Sequence, residues 1–312
     1  MLPCRIAAVV LGALLAALPL HASADGTTIN VAAMPIAGAA EAFFAQELGF
    51  FKAAGLDVHL TVLASGAAIV PATTSGTVDI GFGSPSPLIL AHVKGLPVRF
   101  ITYASLYTGP PVTSALMAAK SSNVRTGADL NGQAVAVNGL HDIGQFEVQA
   151  WVDHNGGNSD TVQFVEMPYS TMMDALNRGR VAAVSETEPW VSTAADGARV
   201  IGNLNDIVAP KYALAGWFST DAWLASNPQL AQRFTAVMQQ TARWANAHPK
   251  EAGALLQRYT QVTPDVALIV LKHLQFDDGG RADPKYLQPV IEMIAKYGKS
   301  PSFNAADLTW GR

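Results

Sequence analysis

The order of the apolar periodicities along the chain constrains its fold more than any other feature. Residues 28–33 have the composition of a short strand. Over residues 39–52, Phe44, Leu48 and Phe51 recur at helical spacing, and Gly55 supplies a helix stop. Leu56, Val58, Leu60 and Val62 then alternate with Asp57, His59 and Thr61, the period of a half-buried strand. Strand, helix and strand in that order form a β-α-β unit, whose right-handed crossover makes the two strands parallel. The alternation goes on, with strands expected over 78–82, 97–104, 114–119, 133–138, 162–167, 181–185, 199–201 and 214–219. Helical segments fill most of the intervals, among them 67–75, 87–94, 143–154 and 171–178. From Asp221 onward the pattern is helical only, and the X-Pro steps place its boundaries at Asn227-Pro228, His248-Pro249, Thr263-Pro264 and Asp283-Pro284. This is the layout of an α/β protein built on parallel sheets.

The first 24 residues stand outside that layout. Arg5 precedes an uncharged run from Ile6 to Leu20, and Ala22-Ser23-Ala24 follows as a small-residue cleavage site. The run is shorter than the ~20 residues of a membrane-spanning helix. The segment therefore reads as a cleaved secretory signal peptide, with the mature chain starting at Asp25 and located in the periplasm. The single cysteine, Cys4, lies ahead of the run, so neither a lipid anchor nor disulfides are expected. Only 14% of residues are charged and 50% are hydrophobic, which suits a chain held by its core. The net charge of −4 and the lack of basic clusters argue against nucleic acid as a partner.

Several segments carry a recognisable pattern. Ala45-Gln46-Glu47-Leu48-Gly49-Phe50-Phe51-Lys52 with Gly55-Leu56-Asp57-Val58 comes first, then Val78-Asp79-Ile80-Gly81 with Gly83-Ser84. Leu130-Asn131-Gly132-Gln133-Ala134-Val135-Ala136-Val137 follows, then Met173 to Ala183, and finally Glu188-Pro189-Trp190. In this order they resemble the periplasmic substrate-binding proteins of ABC transporters for sulfonates, nitrate and taurine, a group that shares ancestry with the pyrimidine synthases of thiamine biosynthesis. The resemblance implies a type II periplasmic binding fold: two parallel-sheet lobes joined by a two-strand hinge near 114–117 and 213–217. Lobe 1 is then residues 25–115 and 216–312, and lobe 2, inserted, is 116–215. It further implies a monomer that captures a small organic solute by lobe closure and delivers it to a membrane permease with its ATPase. Sulfonates, taurine-like compounds and other small acids or zwitterions are the solutes it implies. A protein that feeds a sensor would look the same in sequence.

Ligands of open α/β sheets bind at the carboxyl ends of strands. Those loops are residues 34–38, 64–67, 83–86, 138–142, 186–190 and 215–218. They nominate Pro35, Gly38, Ser65, Gly66, Ser84, Ser86, Asn138, His141, Glu188, Trp190 and Trp217 as ligand-binding residues. Ser86 with Pro87 reads as a helix start, as does Ser65 with Gly66, and helix starts offer unpaired N–H groups. Asn138 and His141 are hydrogen-bonding candidates on the opposing lobe, with Asp142 capping the helix that follows. Glu186 or Glu188 can hold an ammonium group, and Trp190 and Trp217 can wall a pocket. Each also has an ordinary use: capping for the serines, solvent exposure for His141 and the glutamates, core packing for the tryptophans. The loops contain no lysine or arginine, which disfavours a strongly charged dianion. No catalytic residue, metal site or cofactor is nominated. The chain lacks G-x-S-x-G, H-E-x-x-H and a Gly-rich phosphate loop, and beyond Cys4 it has no cysteine, so it does not read as an enzyme.

Overall fold

A computed structural model describes residues 27–194, 197–260 and 262–311. The expected signal peptide lies outside the described residues. The first half of the chain supplies β1 (Thr27–Ala33), α1 (Ala40–Glu47), α2 (Phe50–Ala53), β2 (Leu56–Val62), α3 (Gly66–Thr74), β3 (Ile80–Gly83), α4 (Pro85–Val93) and β4 (Val98–Tyr107). Next come β5 (Ser114–Ala119), β6 (Ala134–Val137), α5 (Ile143–His154), β7 (Gln163–Glu166), α6 (Tyr169–Asn177), β8 (Ala183–Thr187), α7 (Trp190–Thr193) and β9 (Ala198–Asn203). The chain then forms β10 (Tyr212–Thr220), α8 (Asp221–Ser226), α9 (Pro228–Ala247), α10 (Pro249–Thr260), α11 (Pro264–His273) and α12 (Pro284–Tyr297).

Among the described residues, ten strands form two five-stranded sheets. Sheet A has the order β2-β1-β3-β10-β4 and sheet B the order β7-β6-β8-β5-β9. β1 pairs parallel with β2 and β3, and β6 pairs parallel with β7 and β8, as β-α-β crossovers require. The two expected sheets are present, and each also carries antiparallel pairings. β10 runs antiparallel to β3 and β4, and β5 antiparallel to β8 and β9. Both strands follow a segment that passes between the sheets, residues 108–113 and 204–211, and so enter without a helical crossover to align them.

The local differences have physical causes. The single helix expected over 39–52 is two, because Gly49 adopts a left-handed φ of 71° that ends one helix and starts another. The helix expected at Pro87 starts at Pro85 with Ser84 at its N-cap, which moves the helix start two residues toward the strand. Pro228, Pro249, Pro264 and Pro284 each open a helix, where the missing N–H costs nothing.

The core of sheet A is aromatic. Trp217 is 0% exposed and meets Phe82 and Phe234 edge-on, with centroids 5.3 and 5.6 Å apart. Gly216 lets β10 close on β4: a Cβ there would lie 2.8 Å from the Thr102 carbonyl oxygen. Sheet B is covered on one face by α6, through Met172, Ala175 and Leu176, and on the other by α5, through Val148, Trp151 and Val152. Among the described residues no helix is long and apolar enough to cross a membrane.

Candidate functional site

A cavity of about 90 Å³ lies between the two sheets, lined by residues from both. From the sheet A side come Met34, Ile36, Ala37 and Gly38 after β1, Gly66 at the start of α3, and Phe82 and Ser84 at the end of β3. Ser105, Leu214, Ala215 and Leu274 complete that side. From the sheet B side come Asn138 and Asp142 after β6, Gly144 and Glu147 on α5, Tyr169 at the start of α6, and Thr187 and Glu188 at the end of β8. Thr113, Ser114 and Asn205, where the chain passes between sheets, close its base. Strand ends converge here because both sheets point their carboxyl edges at one another.

The carboxyl groups are all on one side. Glu147 is 1% exposed and accepts from the Tyr212 hydroxyl at 2.8 Å; Ser114 Oγ lies 3.4 Å from its other oxygen. Tyr212 in turn accepts from Asn205 Nδ2 at 2.9 Å, and Asn205 Oδ1 accepts from Thr113 Oγ1 and the Ser114 N–H, both at 3.0 Å. This network fixes Glu147 at the point where the chain passes between sheets. Burial pushes its carboxyl up to about 7, with the Asp142 charge adding and the Tyr212 bond opposing. Asp142 caps α5 by accepting from the Ile143 N–H at 2.6 Å and also accepts from the Ser84 hydroxyl, a second tie between the two sides beside Tyr212–Glu147. Its carboxyl is likewise raised, mainly by burial.

Glu188 is 3% exposed and accepts from Ser192 Oγ at 2.8 Å and the Ser192 N–H at 3.1 Å. Its Oε1 also lies 3.5 Å from His273 Nδ1 at the end of α11. Burial raises this carboxyl too, against the pull of Ser192 and His273. Glu186 stands between two lining residues, Ser185 and Thr187, is 1% exposed, and has no hydrogen-bond partner for either oxygen. Burial pushes it up to about 9. The Tyr169 hydroxyl is raised well above its ordinary value by burial and then by the charges of Asp142, Glu186 and Glu147, which places all three within electrostatic reach of that ring. Trp190 stacks on the far side of Tyr169, centroids 5.2 Å apart.

Of the residues nominated from sequence, the structure brings Gly38, Gly66, Ser84, Asn138 and Glu188 to the cavity. The others lie outside its lining. Pro35 sits between two lining residues, and Ser65 precedes Gly66 as the N-cap of α3. Ser86 is fully buried inside the first turn of α4, two residues past the helix cap. His141 is exposed with a left-handed φ of 60°. Trp190 supports Tyr169 from behind. Trp217 is a correction: its side chain packs into the sheet A core and its Nε1 donates to Glu41 at 3.2 Å, because its place in β10 points it away from the cavity. Glu147 and Tyr169 were not foreseen. Glu147 is an acidic residue flanked by Phe146 and Val148 on a buried helix, a legible signal. Tyr169 starts the helix after β7, a strand end missing from the loops considered.

The chain matches the family model described as NMT1/THI5 like over residues 37–252. A binding protein of Brucella abortus is 21% identical over 225 residues, covering 70% of this chain. A 4-amino-5-hydroxymethyl-2-methylpyrimidine phosphate synthase of Aspergillus parasiticus is 23% identical over 235 residues, covering 71%. The chain spans 66% of the length of each of these curated relatives. Among solved structures, the periplasmic aliphatic sulphonate binding protein of Escherichia coli superposes with a TM-score of 0.73 at 16% identity, covering 91% of this chain and 97% of that one.

Proposed function

The chain belongs to the NMT1/THI5-like family, and from that premise we propose that it is the periplasmic solute-binding component of an ABC importer. In this reading lobe 1 (25–115 and 216–312) and lobe 2 (116–215) close over a small organic solute and hand it to a membrane permease. The observation that carries the reading is the cavity walled by both sheets, with Ser84 of one side donating to Asp142 of the other. Contacts of that kind exist only when the lobes are together, so a solute that adds to them shifts the population toward the closed form. The name of the Aspergillus relative raises an enzyme on the same fold. The lining offers that reading less: it contains no cysteine, histidine or lysine to serve as nucleophile or base.

A thermal-shift screen tests capture. The panel includes taurine, alkanesulfonates, nitrate, aromatic acids, amines and amidines. A true ligand raises the melting temperature with concentration as RT ln(1 + [L]/Kd) and compacts the protein in small-angle scattering. A ligand that binds without compaction contradicts the closure mechanism, and a panel without a single binder contradicts capture of this class of solute.

A further inference from the structure

The charge of the cavity does not suit an anion. Among the described residues its lining holds Asp142, Glu147 and Glu188 and no lysine, arginine or histidine. The helix starts that face it differ in their donors: Ser65 makes no side-chain cap, so α3 keeps its first N–H groups uncapped, while α4 and α5 have fewer. Pro85 and Pro87 occupy two of the first three positions of α4 and carry no N–H. The Asp142 side chain already takes the first N–H of α5. An anion here would lie against three acidic side chains, and like charges in a partly desolvated site repel strongly.

The opposite charge meets a set of acceptors. Glu147 and Glu188 are almost wholly buried and line the cavity. Each of their oxygens accepts one hydrogen bond from the protein and can take another, so the lining carboxyls have room for a further donor. Among the described residues no group of three or more His, Cys, Asp and Glu is placed to hold a metal ion. The positive charge that fits is therefore carried on an organic molecule. The facing wall is apolar, with Met34, Ile36, Phe82, Leu214 and Leu274, and Tyr169 offers a ring on the acidic side. A cation beside a tyrosine ring gains further.

We propose that the solute is a small organic cation: its apolar body lies against the sheet A wall, and its N–H donors reach Glu147, Glu188 and Asp142 beside Tyr169. This rests on the reading of the cavity as a solute site and names the chemistry of what enters it. Glu188 already faces His273, so Glu147 and Asp142 carry more of the charge the ligand meets.

Titration calorimetry of the full chain with benzamidine, benzylamine and agmatine, set against benzenesulfonate, benzoate and nitrate, tests the proposal. At least one cation binds, about tenfold or more tighter than every anion. Glu188→Gln and Glu147→Gln each weaken it by about ten- to a hundredfold, the loss of one charge-assisted hydrogen bond, and the circular dichroism of each variant reports that it still folds. Because Glu147 is tied to Tyr212, Glu188→Gln is the decisive variant if Glu147→Gln does not fold. Tight binding of an anion that Tyr169→Ala abolishes overturns the cation and leaves solute capture standing. Binding that none of the three variants alters overturns both, since the cavity is then not the site. Silence from every cation at millimolar concentration overturns the proposal.

Discussion

The two walls of the cavity differ in kind. The sheet A wall is small, apolar and uncharged, built from Gly38, Gly66, Ser84, Ser105 and a few aliphatic side chains. The sheet B wall carries the three lining carboxyls and the tyrosine ring. The same division holds for the aromatic residues behind them. Trp217 behind the first wall is sealed in the core, whereas Trp190 behind the second is only half-buried and stacks on a lining residue. One wall gives shape and the other gives charge, so substitutions on the two sides should fail in different measurements.

The largest expected effect is on the shape side. Trp217→Ala removes a fully buried ring and leaves Glu41 without its donor, and should lower stability by about 3–5 kcal/mol in urea unfolding. A loss below about 1 kcal/mol would mean that this tryptophan is not the core element described. Next, Ser84→Ala cuts one of the hydrogen bonds between the two sides. A bond to a carboxyl is worth about 1.5–3 kcal/mol, so the variant should have a larger radius of gyration by small-angle scattering. An unchanged radius would separate closure from that contact.

The charged wall has its own signature in pH. Glu147 and Glu186 are raised from an ordinary 4.5 to about 7 and about 9. The folded protein therefore keeps protons that the unfolded chain has already released. The stability these groups allow is fully present below 4.5 and is lost as the pH rises through about 7 for Glu147 and about 9 for Glu186. Without ligand, stability should fall on the alkaline side of 4.5, at most about 1.4 kcal/mol per pH unit for each group. Glu186→Gln should flatten the fall above about pH 7. A melting temperature that rises over this range would contradict the buried, unpaired state of Glu186. The smallest effect belongs to His141. His141→Gly relieves its positive φ and touches nothing in the cavity, so stability should change by less than about 1 kcal/mol and solute affinity by less than about twofold.

The sequence resolved the two walls unequally, and the reasons are physical. Period-two alternation in β2 and the X-Pro steps before the last four helices are local signals, and the elements follow them. The antiparallel entry of β5 and β10 is a matter of which sheet the chain has just left, which no local window contains. At the site, Gly38, Gly66 and Ser84 sit in strand-end loops and were legible from position alone. Glu188 was legible from its loop, but its burial was not. Trp217 shows the limit of that approach: a residue at a strand end still has a side-chain direction, set by register, and here the direction is inward. Glu147 reaches the cavity from a full turn inside α5, where a loop-based search does not look.

The claim that the acidic wall receives a cation is tested most directly by counting protons. Benzamidine binding should be measured by calorimetry at about pH 7 in two buffers of different ionisation enthalpy. A cation placed against Glu147, which burial keeps about half protonated at that pH, favours its ionised form, so binding should release protons to the buffer, and Glu147→Gln should reduce the number released. Binding without proton release, or with proton uptake, would contradict the account.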